Sequence, residues 1–288
     1  MADDALRLLI LARDQSSRVQ TALADLQVVL ARMKGMKVVG VSTTQDPGPE
    51  REEAELAIVL GGDGAILRAC RLFGTHQLPI LGINLGRLGF LTDLSWKELE
   101  QNLSHVRDRK FSIVEHLMFE CEHCHADGTS ETYLGLNEVV IASAGSLKML
   151  DVELAIGDEQ VTTYSGDGLI ISTPVGSTAH SLSAGGPILR QDLQAFVVTP
   201  ICPHTLTNRP LVDRADVEYA MTVPHVDEGV MLVIDGQIKE PVRPNDRVIV
   251  RRAAVTFQLA KLPSHSYYSV LHRKLGWSGQ PRYRRPRS

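Results

Sequence analysis

The chain has 288 residues, 43% of them hydrophobic and 22% charged, with a formal net charge of −4. This balance suits a globular protein large enough for two domains. It excludes a disordered chain and a global field that would gather nucleic acid or a membrane surface. Four cysteines over this length make no disulfide framework, no apolar stretch approaches a membrane span, and Met1-Ala2-Asp3-Asp4 does not begin a secretory signal, so a cytoplasmic protein is expected.

Leu8-Leu9-Ile10-Leu11 reads as a buried strand, and Val19, Leu23, Leu26, Leu30 and Met33 recur at helical spacing. Val38–Val41 and Leu56–Leu60 are further strands. After Gly64, the residues Ile66, Leu67, Cys70 and Phe73 share one helical face, which ends near Gly74, and Pro79–Ile83 is the next strand. Strands alternating with helices predict a parallel sheet that binds ligands at the strands' C-terminal ends.

Gly61-Gly62-Asp63-Gly64 stands at such an end. A glycine turn between strand and helix aims backbone N–H groups and a helix N-terminus at one point, which suits phosphate. It serves equally as a tight connection. Asp63 would repel a phosphate, and makes sense there if it holds a metal or takes a proton from an attacking hydroxyl.

Ser95-Trp96-Lys97-Glu98 has the pattern of a capping box, opening a helix to about Ser104. From Phe111 to Leu262 the texture changes to short β-rich runs separated by turns at Asp127-Gly128, Gly157-Asp158, Asp235-Gly236 and Pro244-Asn245-Asp246. That predicts an antiparallel, sandwich-like domain with a boundary near residues 105–110. The basic end, Arg282–Ser288, reads as a frayed, solvated tail.

Within the β-rich part, residues 173–187 pack five hydroxyl side chains, three glycines and two prolines into fifteen positions. Such a segment suits the sugar and base edges of a nucleotide, or is a long surface loop. Asn137-Glu138 interrupts an apolar strand, so the pair is either buried with partners or faces a cleft. Asp167 lies between Gly166 and Gly168, and 82–91 is a second glycine-rich strand exit. Cys121-Glu122-His123-Cys124-His125 looks like half of a zinc site. No second ligand pair follows at suitable spacing, and alternation along a strand explains it without metal, so no metal ligand is assigned.

Taken together these segments resemble the NAD kinases, enzymes that phosphorylate the adenosine ribose of NAD to give NADP. The resemblance rests on GGDG at 61–64, NLGRLGFLTD at 84–93, NEVVI at 137–141, DGLIISTPVGSTAHSLSAGGPI at 167–188, PICPHTL at 200–206 with Arg209-Pro210-Leu211, DGQ at 235–237 and KLGW at 274–277. It implies an α/β domain over 1–106, completed by about 265–288, a β-rich dinucleotide-binding domain over 107–264, and an active site between them. It also implies a homodimer or homotetramer, Mg²⁺ or another divalent cation, and ATP or polyphosphate as phosphoryl donor.

The same resemblance assigns roles. Asp63 matches the catalytic aspartate, and Gly61, Gly62 and Gly64 leave room for the donor, with Arg68 placed among the nucleotide contacts. Arg87 reads as a phosphate contact or a surface ion pair. Asn137 and Glu138 contact the acceptor's adenosine, Asp167 the nicotinamide end, and Thr178, Ala179 and Ser183 the adenine. Lys148 and Gln237 align with further dinucleotide contacts. His180 replaces the tyrosine usual in the family, and its smaller ring, which can take up a proton, implies retained activity with weaker or more pH-dependent NAD binding. Two other readings share features: a lipid kinase, which the polar loop at 173–187 disfavours, and a non-enzymatic NAD(H) sensor, which has no need of Asp63.

Overall fold

The computed structural model describes residues 5–12, 16–42, 49–86, 89–92, 94–143, 149–205, 207–226, 229–263 and 267–276. The chain divides into two compact units. The first comprises residues 1–66, 80–113 and 260–288, and the second comprises 67–79 and 114–259.

The first unit is built on β1 (Leu6–Leu11), α1 (Ser17–Ala31), β2 (Met36–Ser42), β3 (Leu56–Gly61), the start of α2 (Asp63–Phe73), β4 (Ile80–Asn84), β5 (Leu94–Ser95) and α3 (Trp96–Arg107). β2, β1, β3 and β4 lie side by side and pair in parallel. Leu56–Leu60 are buried without alternation, as a parallel strand covered on both faces requires. Leu8, Ile10, Leu26, Ile58, Ile83 and Leu103 share one core, joining the sheet to α1 and α3. The capping box at Ser95 forms: its hydroxyl accepts from the Glu98 N–H, and the Glu98 carboxylate accepts from the Ser95 N–H.

The second unit is antiparallel and β-rich. Its strands are β6 (Ser112–Cys124), whose first two residues fall in the first unit, β7 (Ser130–Gly135), β8 (Glu138–Ser143), β9 (Leu150–Ile156), β10 (Glu159–Gly166) and β11 (Gly168–Ser172). After the single-turn α4 (His180–Ser183) come β12 (Ala195–Ile201), β13 (Leu211–Arg214), β14 (Tyr219–Thr222), β15 (Val230–Ile234), β16 (Ile238–Pro241) and β17 (Arg247–Lys261). One sheet runs β13-β12-β11-β8-β15-β16; the other carries β10-β9-β14-β17, with β6 between β17 and β7. Side chains from both sheets, among them Phe119, Ile141, Val152, Ile171, Phe196, Tyr219 and Leu232, form a single core, so the unit is a sandwich. The last two residues of β17, Ala260 and Lys261, belong to the first unit, where the strand pairs with β4. α5 (Tyr267–Leu275) follows it there.

Candidate active site

In the first unit, β3 empties through Gly61 and Gly62 into α2, whose first residue is Asp63. The neighbouring strand β4 ends beside it, with Gly61 opposite Asn84. The Asp63 carboxylate gathers the loop that leaves β4. Its Oδ1 accepts from the Leu91 N–H at 3.1 Å, the Thr92 N–H at 3.0 Å and the Thr92 hydroxyl at 3.0 Å. Its Oδ2 accepts, among the described residues, from the Phe90 N–H at 2.7 Å. Asn84 extends the network: its amide donates to the Thr92 carbonyl and hydroxyl, and its oxygen accepts from the Gly86 N–H. Gly89 is demanded by close approach, since a Cβ there would lie 2.6 Å from Asp63 Cγ.

A cleft of about 330 Å³ opens at this C-terminal edge of the parallel strands, lined by Ser16, Arg18, Gly61, Gly62, Leu85 and Gly86. Gly62 is exposed, and a Cβ there would meet nothing within 4 Å. Arg18, on the first turn of α1, is held by a 2.9 Å hydrogen bond to the Leu85 carbonyl. Sequence reasoning missed Arg18: it stands in no motif, and its cationic head reaches the cleft only because α1 begins at the same sheet edge. Gly64 and Arg68 lie half-buried on α2.

In the second unit, Glu138 opens β8 and is buried. Its Oε2 has no hydrogen-bond partner among the described residues, while the His180 N–H bonds to the same carboxylate. Burial first, and then the negative charge of Asp235, push the Glu138 pKa up to about 8. Asp235 organises the turn before β8. Its carboxylate accepts from the N–H groups of Leu136, Asn137 and Glu138 at 3.1, 2.7 and 3.2 Å, and pairs with Arg71 at 3.1 Å. Burial holds the Asp235 pKa above the usual carboxylate range, against the pull of those N–H groups and of Arg71. Arg71 also donates to the Gln237 side chain.

The hydroxyl-rich segment departs from its composition. The Thr173, Ser177 and Thr178 hydroxyls donate to the carbonyls of Leu136, Pro174 and Val175, and Ser181 pairs with Thr199. These side chains are buried and fold the segment on itself, whereas His180 and Ser183 are exposed, as are Gly185 and Pro187. Gly176 lies flat on Asn137, where a Cβ would sit 2.7 Å from the Asn137 Cα. Thus Asn137, Glu138, Thr178, Ala179, His180 and Gln237 come together in this unit. Asp167 is exposed between β10 and β11 and accepts a hydrogen bond from Cys202, which pushes that thiol's pKa up. Lys148, Arg87, Trp277 and the tail at 282–288 lie outside the described residues.

Residues 14–111 match the profile of the ATP-NAD kinase N-terminal domain, and residues 136–262 that of the ATP-NAD kinase C-terminal domain. The chain belongs to the NAD kinase family. An NAD kinase of Rhodopirellula baltica is 47% identical over 229 residues, covering 80% of this chain and 74% of that one. One of Geotalea daltonii is 41% identical over 226 residues, covering 78% and 80%. Among solved structures, an NAD kinase from Archaeoglobus fulgidus in complex with ATP superposes with a TM-score of 0.71 at 25% identity, covering 94% of this chain and 98% of that one. Yeast NADH kinase complexed with NADH shares the fold, with a TM-score of 0.86 at 23% identity over 98% and 91%.

As a member of the NAD kinases, the chain is a phosphotransferase that converts NAD to NADP. The family's two domain profiles fall on the two textures of the chain, α/β first and β-rich second. No helix among the described residues is long and apolar enough to cross a membrane.

Proposed function

We propose that Asp63 takes the proton from the 2′-hydroxyl of the NAD adenosine ribose as the terminal phosphoryl group of ATP arrives. The observation that carries this reading is the unequal loading of its carboxylate. Among the described residues, Oδ1 holds three donors and Oδ2 holds one. Oδ2 therefore keeps a lone pair for a substrate hydroxyl, while the other bonds fix the group's direction.

The cleft at Gly61 and Gly62 takes the phosphoryl donor. Backbone N–H groups at the head of α2 and the Arg18 guanidinium supply positive potential to phosphates there. A divalent cation enters with the nucleotide. With Oδ1 of Asp63 already occupied, its ligands would be chiefly phosphate oxygens and water, which suits Mg²⁺. Such an ion screens the transferring group.

Glu138 and Asn137 hold the adenosine of the dinucleotide. The Oε2 of Glu138, unpartnered among the described residues, becomes on ionisation an acceptor suited to ribose hydroxyls, and the exposed His180 and Ser183 offer ring and hydroxyl contacts to the base. Asp167 stands for the nicotinamide end. The enzyme works as a homo-oligomer in the cytoplasm.

The test is NADP(H) formation by purified protein with Mg²⁺, NAD or NADH, and ATP or polyphosphate. Turnover is expected with NAD and ATP. Asp63→Asn is expected to lower kcat by a factor of about 10²–10⁴ while the Kd for NAD changes little. Normal turnover by that variant would remove Asp63 from the chemistry.

A further inference from the structure

The second unit brings together three side chains that the kinase reaction does not use. His123, near the end of β6, is 1% exposed; His125 follows the strand; Asp246 precedes β17 and is likewise buried. Nε2 of His123 and Nδ1 of His125 lie 3.0 and 3.1 Å from the same oxygen, Asp246 Oδ2. One ligand atom from each of the three falls within 4.8 Å of the others.

We propose that His123, His125 and Asp246 form a binding site for a first-row divalent transition metal, Zn²⁺ foremost. A tetrahedral ion with bonds of about 2.0–2.1 Å holds its ligand atoms roughly 3.3 Å apart. The two nitrogen–oxygen separations already stand close to that edge. Two imidazoles and one carboxylate select Zn²⁺ over Mg²⁺ or Ca²⁺, which prefer oxygen ligands alone.

The outer shell supports two of the three ligands, His125 and Asp246. Nε2 of His125 lies 2.7 Å from Glu131 Oε2, which makes a carboxylate–histidine–metal chain. The backbone N–H of Arg243 donates at 2.9 Å to the same Oδ2 of Asp246, whose second lone pair remains for the ion, and fixes the carboxylate's direction. His123 coordinates through Nε2 with its proton on Nδ1, which has no hydrogen-bond partner among the described residues; His125 coordinates through Nδ1 with its proton on Nε2, donated to Glu131. Water completes the fourth position, reached from the side of His125, whose side chain is 13% exposed. Cys121 and Cys124 take no part in the cluster. The ion would tie the β6–β7 hairpin to the turn that opens β17, a structural role separate from the metal–nucleotide substrate.

The experiment uses metal-stripped full-length protein without nucleotide, titrated with Zn²⁺ against a chelating indicator. One equivalent is expected, with Tm raised by a few degrees at saturating ion. Co²⁺ is expected to give the visible bands of a four- or five-coordinate nitrogen–oxygen site, with no thiolate charge-transfer band. His125→Gln, the least buried of the three, is expected to weaken binding at least tenfold. Glu131→Gln is expected to weaken it about 10- to 100-fold. Cys121→Ser and Cys124→Ser are expected to leave it unchanged. Absence of saturable Zn²⁺ binding, undiminished binding in His125→Gln, or a thiolate band from Co²⁺ would each overturn the assignment.

Discussion

Gly89 and Asp63 occupy adjoining space: a Cβ on the glycine would lie 2.6 Å from the aspartate's Cγ, and closer still to Oδ1. The second glycine of the NLGRLGF segment is therefore the floor under the candidate base. Gly89→Ala is expected to turn the carboxylate away and lower kcat about 10²-fold, the usual effect of misplacing a reacting group by an ångström. A steady-state assay of NADP formation checks this. The Kd for NAD, measured by calorimetry, is expected to stay within a few-fold of wild type.

Asp63→Asn also carries a structural cost. Whichever way the amide turns, its NH₂ faces at least one of the backbone donors that now point at the carboxylate. Setting donor against donor costs about 1–3 kcal/mol. Urea unfolding is expected to show a loss of that size, and Asp63→Ala to show at least as large a loss.

Glu138 makes a pH prediction with a definite sign. Its pKa rises from 4.5 to about 8 on folding, through burial and then the charge of Asp235. Between those values the folded chain holds a proton that the unfolded chain releases. Stability is therefore lost as pH rises from about 4.5 toward 8, by up to a few kcal/mol. Glu138→Gln removes this slope. The variant is expected to gain on wild type in denaturant midpoint at pH 8 relative to pH 5.

The same group shapes affinity. If the Glu138 carboxylate accepts hydrogen bonds from ribose hydroxyls, NAD favours its ionised form. NAD binding is then expected to release a proton below pH 8 and to tighten as pH rises from 6 to 8. Calorimetry in two buffers of different ionisation enthalpy reads that proton directly.

Arg71 is the cation beside buried Asp235. Arg71→Met leaves that carboxylate with backbone donors alone, and is expected to cost roughly 3 kcal/mol in denaturant unfolding. Because Asp235 shapes residues 136–138, weaker NAD binding is expected to accompany the loss.

Much of this was readable in the chain. The unbroken apolar run at Leu56–Leu60 and its glycine exit gave β3 and the head of α2, because parallel strands are buried on both faces. Ser95 and Glu98 announced α3, and the turns at Asp127-Gly128, Gly157-Asp158 and Asp235-Gly236 each fell at a hairpin. What escaped were long-range hydrogen bonds. The donors to Asp63 lie 27 to 29 residues away and are mostly backbone N–H groups, which leave no mark in a sequence. The Thr173–Ser181 hydroxyls looked like ligand donors by composition, yet they are spent on nearby carbonyls and on Thr199. Asp235 read as a turn residue; its φ of 50° fits the turn, but its carboxylate binds backbone about 98 residues earlier.

The end of β17 completes the first unit's sheet beside β4, and Ala260 and Leu262 share a core with Leu8 and Ile58. A ribosome must therefore deliver some 260 residues before that unit's sheet can finish. Until then the part of one flank of β4 that β5 does not cover stands open as a template for another chain's backbone. A fragment ending at residue 113 would keep the part of that flank not covered by β5 permanently bare, and its expected fate in a cell is aggregation or degradation rather than a half-sized enzyme.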